Sequence, residues 1–167
     1  MRLERGDHDP GTETTMRCIR SVRCPAIVAL MIATTALPAA AQSSADTAAI
    51  RAAALDYIDG WYAADGARME RALHPELAKR NVTTDPASGR SRLIQMSAMT
   101  LVQSTRRGGG SNIPAAERKD EVRILDIFGG AASAKVTAAT WVDYMHLAKV
   151  NGQWVIMNVL WENNPPK

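Results

Sequence analysis

The residue types best suited to chemistry in this chain are an aspartate, a histidine and an asparagine set in mostly apolar segments. Asp143 lies in the β-prone stretch 142–161, which contains the dipeptide Asn151-Gly152. A carboxylate that points inward is costly unless it is paired or lies in a hydrated cavity. Asp143 therefore has two interpretations: a structural hydrogen bond to a helix end or to an arginine, or a general base in a proton transfer.

Two further polar residues would complete a catalytic site around Asp143. His74 precedes Pro75, where a helix is expected to end, and a protonated imidazole stabilises a helix C-terminus. The alternative role for His74 is a general base or hydrogen-bond donor at a pocket mouth, because imidazole titrates near neutral pH. The catalytic hypothesis has Asp143 as the base, with His74 and Asn158 positioning a carbonyl group.

Aromatic side chains supply candidates for the wall of a binding pocket. Flat organic ligands favour aromatic walls with a few polar anchors. Core packing is the alternative role for the same aromatic residues. The predicted ligand-binding set is Tyr57, Trp61, Met96, Trp141, Met145 and Asn158.

Several classes of site and partner are disfavoured by composition. There is no His-Glu cluster, and His74 and His146 are expected on different faces, so no metal site and no cofactor are predicted. The chain has no Gly-x-Ser-x-Gly elbow for a serine nucleophile. Its net charge is only +3 with both signs interspersed, which does not favour a nucleic-acid partner. The glycine run 108–110 lacks the context of a phosphate loop and is expected to be a flexible connection.

The Asn151-Gly152 dipeptide predicts a two-residue hairpin, because both turn positions need positive φ. Counting outward from that turn, Leu147 faces Ile156, Met145 faces Asn158 and Asp143 faces Leu160, and paired residues share a face. The second face is also apolar, and it would form an exposed patch unless another subunit covers it. A homodimer is therefore predicted through the residues Tyr144, Met157, Val159 and Trp161.

Three helices are predicted before the strands. Asp46 or Thr47 is expected to cap a helix that runs to about Ala63, and Asp65 to cap a shorter one that ends at 74–75. The segment 76–82 either finishes that element or starts a short strand. Ser91 is expected to cap the third helix, which contains Met96.

Strand signals begin at residue 121, with a second two-residue hairpin at Gly129-Gly130. A β-bulge near 137–140 would bring the inward residues before it into phase with Asp143. Helices followed by a strand meander indicate an α+β fold.

The first 41 residues resemble a secretory leader. A short basic stretch from Met16 is followed by an apolar run and by Ala39-Ala40-Ala41. Cleavage is expected after Ala41, with Met16 as a possible true start, so both cysteines would be lost and the protein would be periplasmic or secreted. The predicted organisation is a tether at 42–46, one domain at 47–162 and a tail at 163–167, with no membrane span after cleavage.

Several segments resemble the putative lumazine-binding family of the nuclear transport factor 2-like superfamily, which also contains SnoaL-like proteins and ketosteroid isomerases. The segments that carry the resemblance are 56–62 (Asp-Tyr-Ile-Asp-Gly-Trp-Tyr), 71–80, 132–136, 141–144 and 151–156. The resemblance implies a cone-shaped fold: three N-terminal helices packed on a strongly curved, mostly antiparallel sheet, with a cavity between them. It also implies dimerisation through the sheet, as is common in the superfamily.

Three hypotheses about function follow. The first is an exported module that binds a small organic molecule in a pocket between helices and sheet. The second is a cofactor-free isomerase, cyclase or dehydratase that uses Asp143 as general base. The third is a structural dimer without catalysis. Fold alone does not choose among them, since one fold hosts many functions.

Overall fold

The computed structural model describes residues 39–165, with side chains from Ser44 onward. The predicted start at Met16 and nearly all of the predicted leader lie outside the described residues. The elements are α1 Ala39–Ala63, α2 Gly66–Ala72, β1 Leu73–Thr84, β2 Ser91–Ser97, α3 Ala98–Arg106, a 3-10 turn Ala115–Glu117, β3 Glu121–Phe128, β4 Ala131–Thr137, β5 Trp141–Val150 and β6 Gln153–Asn163.

The strands of the described residues form one curved, unclosed sheet in the order β2-β1-β6-β5-β4-β3. All neighbours pair antiparallel except β1 and β6, which are parallel. The α+β class and the mostly antiparallel sheet are confirmed. The helices are not all N-terminal to the strands, however, because α3 follows β2.

Both predicted two-residue hairpins are present. Asn151 and Gly152 have φ of 50° and 82°, and the residues on either side of them pair, as Val150 with Gln153. Gly129, with φ of 57°, begins the turn between β3 and β4. Both turns require backbone conformations that glycine and asparagine adopt at low cost.

A β-bulge in β6 changes which of its residues face inward. Leu147 pairs with Ile156 as predicted, but His146 pairs with Asn158, so Met157 is an extra residue on β6. Because side chains alternate between faces, one extra residue reverses every later assignment on that strand. The predicted pairings of Met145 and Asp143 are therefore wrong.

The observed pairs past the bulge are Met145 with Val159 and Asp143 with Trp161. Val159 is buried on the inner face rather than exposed on the outer one. Asn158 and Leu160 are exposed instead. The predicted dimer surface is therefore wrong for Val159 and Trp161, which lie on the inner face and not on the outer one. Tyr144 is half exposed on the outer face, as predicted.

The third helix begins six residues later than predicted. Ser91–Ser97 is a strand that pairs along its whole length with residues 78–84, and the cap of α3 is Ser97, whose hydroxyl accepts from the Thr100 N–H. The hydrophobic pattern of residues 91–97 fits a helix or a strand, and hydrogen bonding to β1 decides for the strand. The segment 76–82 accordingly belongs to a strand, the second of its two predicted alternatives.

Three smaller expectations are also corrected or confirmed. Asp65 caps α2, its carboxylate accepting from two backbone N–H groups. Asp46 is not a cap, since α1 begins before it and its carboxylate accepts from Lys149 and Trp154. Residues 138–140 form a tight turn between separate strands rather than a bulge, and antiparallel pairing alone places Val136 opposite Asp143.

The core lies between α1 and the inner face of the sheet. It contains aliphatic residues from every layer, including Ile50, Ile58, Val136, Leu147 and Ile156, each of which is essentially inaccessible to solvent. Among the described residues, no helix is long and apolar enough to span a membrane.

Candidate functional site

Asp143 is completely buried on the inner face of β5. Its Oδ1 accepts from Lys79 Nζ at 2.5 Å and from the Tyr57 hydroxyl at 3.3 Å. Its Oδ2 accepts from the indole Nε1 of Trp141 at 2.7 Å. The carboxylate is thus held by an ion pair and two neutral donors, which satisfies the requirement for burying a charge.

Lys79 brings a positive charge into the same region from β1. Its side chain is 6% exposed, and Nζ also donates to the Tyr57 hydroxyl at 2.5 Å. The ammonium lies 5.1 Å from the ring centroid of Trp161 and 5.3 Å from that of Tyr57, within the range of cation–π attraction. Aromatic faces and one carboxylate therefore surround this cation.

The sheet register explains why these groups meet. Lys79 pairs with Val159 of β6, and Val159 pairs with Met145 of β5, so all three point to the inner face. Asp143 is two residues before Met145 and shares that face. Tyr57 reaches them from α1, where it is buried on the side that packs against the sheet.

Burial sets the protonation of two of these groups. It raises the pKa of Tyr57 well above its ordinary value, and the nearby Asp143 charge raises it further. Burial also lowers the pKa of Lys79, an effect that the attraction of Asp143 opposes. Tyr57 is consequently a neutral donor at physiological pH.

A cavity of about 300 Å³ adjoins this cluster, between the helices and the sheet. Eight residues, hereafter the wall residues, line it: Tyr57, Trp61, Lys79, Met96, Leu101, Trp141, Trp161 and Asn163. Four of them are aromatic and two are aliphatic or thioether side chains. Lys79 is the one charged residue among the wall residues.

A glycine turn after α3 holds Trp61 in this wall. Gly110 donates its N–H to the Trp61 carbonyl at 3.0 Å, and a Cβ added to Gly110 would lie 2.5 Å from Trp61 Nε1. Gly109 has φ of 50° and approaches the same carbonyl. The glycine run is therefore a close-packed turn and not the flexible connection that the sequence suggested.

Four of the predicted ligand-binding residues are wall residues: Tyr57, Trp61, Met96 and Trp141. Met145 is instead buried in the core, and Asn158 is exposed beyond the bulge. His74 lies at the start of β1, where its Nδ1 accepts from the Glu76 N–H at 3.1 Å. Asn158 pairs with His146 and therefore faces away from Asp143, and neither His74 nor Asn158 is a wall residue or a hydrogen-bond partner of Asp143.

Sequence reasoning missed Lys79, Leu101, Trp161 and Asn163. The signal for Lys79 was present in the alternation Leu77, Lys79, Asn81, because a period of two places all three on one strand face. That signal becomes readable only if the segment is taken as a strand. Trp161 was predicted on the outer face because the bulge at Met157 leaves no sign in the sequence.

Two buried polar atoms near the cavity have no hydrogen-bond partner among the described residues: Trp161 Nε1 and Asn81 Oδ1. The amide Nδ2 of Asn81 donates to the Trp161 backbone carbonyl at 2.8 Å, so the Asn81 side chain lies against the backbone of Trp161. Unpartnered buried polar atoms are uncommon in stable cores.

The arrangement offers little to a metal ion. In residues 39–165 no group of three or more His, Cys, Asp or Glu side chains is placed to hold one.

A general base needs a lone pair that faces its substrate. Both oxygens of Asp143 are already engaged, and Asp143 is not a wall residue.

Comparison with known proteins agrees with this fold. The sequence pattern of the putative lumazine-binding family matches residues 45–162. The chain belongs to the putative lumazine-binding family. Among curated proteins, none matches it.

Solved structures of nuclear transport factor 2-like proteins share the architecture. A nuclear transport factor 2-like protein of unknown function from Shewanella baltica is 24% identical, with a TM-score of 0.58 over 74% of this chain and 97% of that chain. A second, from Silicibacter pomeroyi, is 16% identical, with a TM-score of 0.56 over 73% and 98%. A third, from Methylobacillus flagellatus, is 20% identical, with a TM-score of 0.54 over 72% and 94%. These likenesses show the nuclear transport factor 2-like fold.

Proposed function

We propose that this protein is an exported module that binds a small, planar heterocyclic molecule in the cavity beside Lys79. The observation that carries the proposal is the composition of the wall residues, four aromatic side chains around one buried ammonium group. Membership of a family described as putative lumazine-binding supports the same class of ligand, since lumazine is a flat two-ring heterocycle.

The size of the cavity favours a ligand of one or two rings. Ligand cavities generally measure about 300–1,000 Å³, and this one, at about 300 Å³, lies at the lower end. Flat ligands gain from offset stacking on aromatic faces in addition to the area they bury. A dinucleotide or other extended cofactor would exceed the available space.

The contacts of Asp143 favour binding over the alternative of a cofactor-free isomerase, cyclase or dehydratase. A base for that chemistry would have to release its hydrogen bonds from Lys79 and Trp141 before it could reach a substrate. In a binding module the same contacts hold the polar end of the cavity rigid.

Isothermal titration calorimetry with lumazine, which measures the dissociation constant, tests the proposal. Met96→Trp puts a larger side chain into the cavity wall, whereas Met99→Trp makes the same change at a residue that is 65% exposed and is not a wall residue. We expect lumazine to bind the wild-type protein and the Met99→Trp variant alike, and to bind the Met96→Trp variant at least about tenfold more weakly. Equal affinity of both variants, or no binding to the wild type, would contradict the proposal.

Export is the part of the proposal that rests on sequence. The basic, apolar and small-residue order up to Ala41 supports cleavage there and delivery to the periplasm or the medium. N-terminal sequencing of the mature protein is expected to begin at Gln42. A mature protein that retains the apolar run 26–37 would refute it.

We also propose that two copies associate through the outer face of the sheet. Tyr144 and Leu160 pair across β5 and β6, and they are 50% and 56% exposed. Contiguous exposed apolar surface favours association, and this pair supports an interface on the outer face. Light scattering is expected to show a dimer that the Leu160→Asp variant dissociates, and a wild-type monomer at micromolar concentration would refute the proposal.

A further inference from the structure

Lys79 is the one charged group among the wall residues, and its hydrogen-bonding capacity is not used up. An ammonium group has three N–H donors. In the described part of the chain, Lys79 Nζ donates to two oxygens, one from Tyr57 and one from Asp143. The faces of Trp161 and Tyr57, more than 5 Å from Nζ, are weaker partners for the third N–H than an oxygen would be.

Two other polar wall groups near Lys79, on Tyr57 and Trp141, are already committed. The Tyr57 hydroxyl donates to Asp143 and accepts from Lys79. The Trp141 indole N–H donates to Asp143. A ligand that reaches the buried end of the cavity therefore meets one available charged donor, on Lys79, and aromatic surface around it. The indole N–H of Trp161, which also has no partner among the described residues, is a neutral donor in the same wall.

The charge at that end cancels. Lys79 and Asp143 are 2.5 Å apart, and their side chains are 6% and 0% exposed. A ligand anion would gain from the ammonium but would be repelled by the carboxylate beside it, and it would also lose its own hydration. A neutral oxygen acceptor avoids both costs.

We infer that Lys79 selects uncharged ligands that carry a carbonyl-type oxygen, which accepts the remaining N–H. This inference rests on the proposed function and adds to it the class of ligand. Burial holds the pKa of Lys79 below its ordinary value, and a ligand oxygen that accepts from the ammonium would stabilise the charged form. Ligand selection and the protonation of Lys79 are thus coupled.

Three probes of similar size separate the contributions. Naphthalene has two aromatic rings and no oxygen, coumarin adds an uncharged ring carbonyl, and coumarin-3-carboxylate adds a negative charge. Equilibrium dialysis gives the dissociation constant of each. We expect coumarin to bind at least about tenfold more tightly than naphthalene and at least about tenfold more tightly than coumarin-3-carboxylate, as one charge-assisted hydrogen bond allows.

The double variant Lys79→Met/Asp143→Asn removes the donor without leaving an unpaired charge. The matched control is Asp46→Asn/Lys149→Met, which removes a similar pair that also holds a tryptophan N–H but is not part of the cavity wall. We expect the preference for coumarin over naphthalene to vanish in the first variant and to persist in the second. Retained naphthalene affinity in both variants shows that both are folded.

The outcomes are distinguishable. If naphthalene, coumarin and lumazine all fail to bind the wild-type protein, the proposed function fails and takes this inference with it. If naphthalene binds as tightly as coumarin, the cavity binds ligands but Lys79 does not select them. A preference for coumarin that survives in the Lys79→Met/Asp143→Asn variant overturns the assignment to Lys79, and tighter binding of coumarin-3-carboxylate overturns the selection of uncharged ligands.

Discussion

Replacing Asp143 with asparagine isolates the ion pair at the centre of the site. The side chain keeps its shape and its ability to accept from Trp141, but Lys79 loses its counter-charge while remaining buried. At 2.5 Å and an effective dielectric constant of about 20, the gross attraction between the two charges is about 7 kcal/mol. The cost of removing both ions from water offsets most of that attraction.

Removing one partner leaves the desolvation cost of the other without compensation. We expect the Asp143→Asn variant to lose about 3–5 kcal/mol of unfolding free energy, the range typical of a broken buried pair. With a urea dependence of roughly 2 kcal/mol per molar, the unfolding midpoint falls by about 1.5–2.5 M. Chemical unfolding followed by circular dichroism measures this shift.

The double variant Lys79→Met/Asp143→Asn completes the cycle. With neither charge present, its unfolding free energy should recover to within about 1–2 kcal/mol of the wild-type value. The Asp143→Asn variant should also gain stability at alkaline pH, because Lys79, whose pKa is lowered in the folded state, then loses its proton. A single variant within about 1 kcal/mol of wild type, or a double variant that shows the sum of both losses, would refute the reasoning.

Three further changes test other parts of the structure. Because the pKa of Tyr57 is raised, the unfolded chain loses that proton at a lower pH than the folded protein, and the unfolding free energy should fall above about pH 10. The fall should be smaller in Tyr57→Phe, which urea unfolding at about pH 8 and pH 11 would measure. The hydrogen bond from Lys149 lowers the pKa of Asp46, so wild-type stability should decline as pH falls below about 4, and acid titration should show a smaller decline in Asp46→Asn. Gly110→Ala should displace the Trp61 indole, which lowers the melting temperature and weakens lumazine binding together.

The matched control for Gly110→Ala is Gly130→Ala, where an added Cβ meets its nearest neighbour at 3.8 Å. A Gly110 variant as stable as the Gly130 variant would show that Trp61 is not held by that turn. If wild type and Tyr57→Phe lose the same unfolding free energy at alkaline pH, that loss does not come from Tyr57. If wild type and Asp46→Asn lose the same unfolding free energy in acid, that loss does not come from Asp46.

Local signals predicted the turns and the cap of α2 well, because each depends on one or two residues. Asn151-Gly152 needs positive φ, and Asp65 accepts two backbone N–H groups wherever its helix packs. The burial of Asp143 also followed from strand alternation near a known turn. These features require no knowledge of distant segments.

The rest depended on tertiary pairing. The extra residue Met157 has no signature in sequence, yet it moved Trp161 into the cavity wall and Asn158 out of it. Lys79 was not identified as a site residue because the segment around it fits a helix end or a strand equally well, and only its pairing with β2 and β6 decides between them. Ser91–Ser97 is a strand for the same reason, since β1 supplies its partner.

The indole N–H signals of the four tryptophans give the most direct measurement of whether the cavity is the binding site. Trp61, Trp141 and Trp161 are wall residues, whereas Trp154 donates to Asp46 outside that wall and serves as an internal reference. In a ¹H–¹⁵N titration with lumazine, assigned by single Trp→Phe variants, we expect the three wall signals to shift with one common dissociation constant while Trp154 stays in place. Shifts of all four signals alike, or of Trp154 alone, would contradict binding in this cavity.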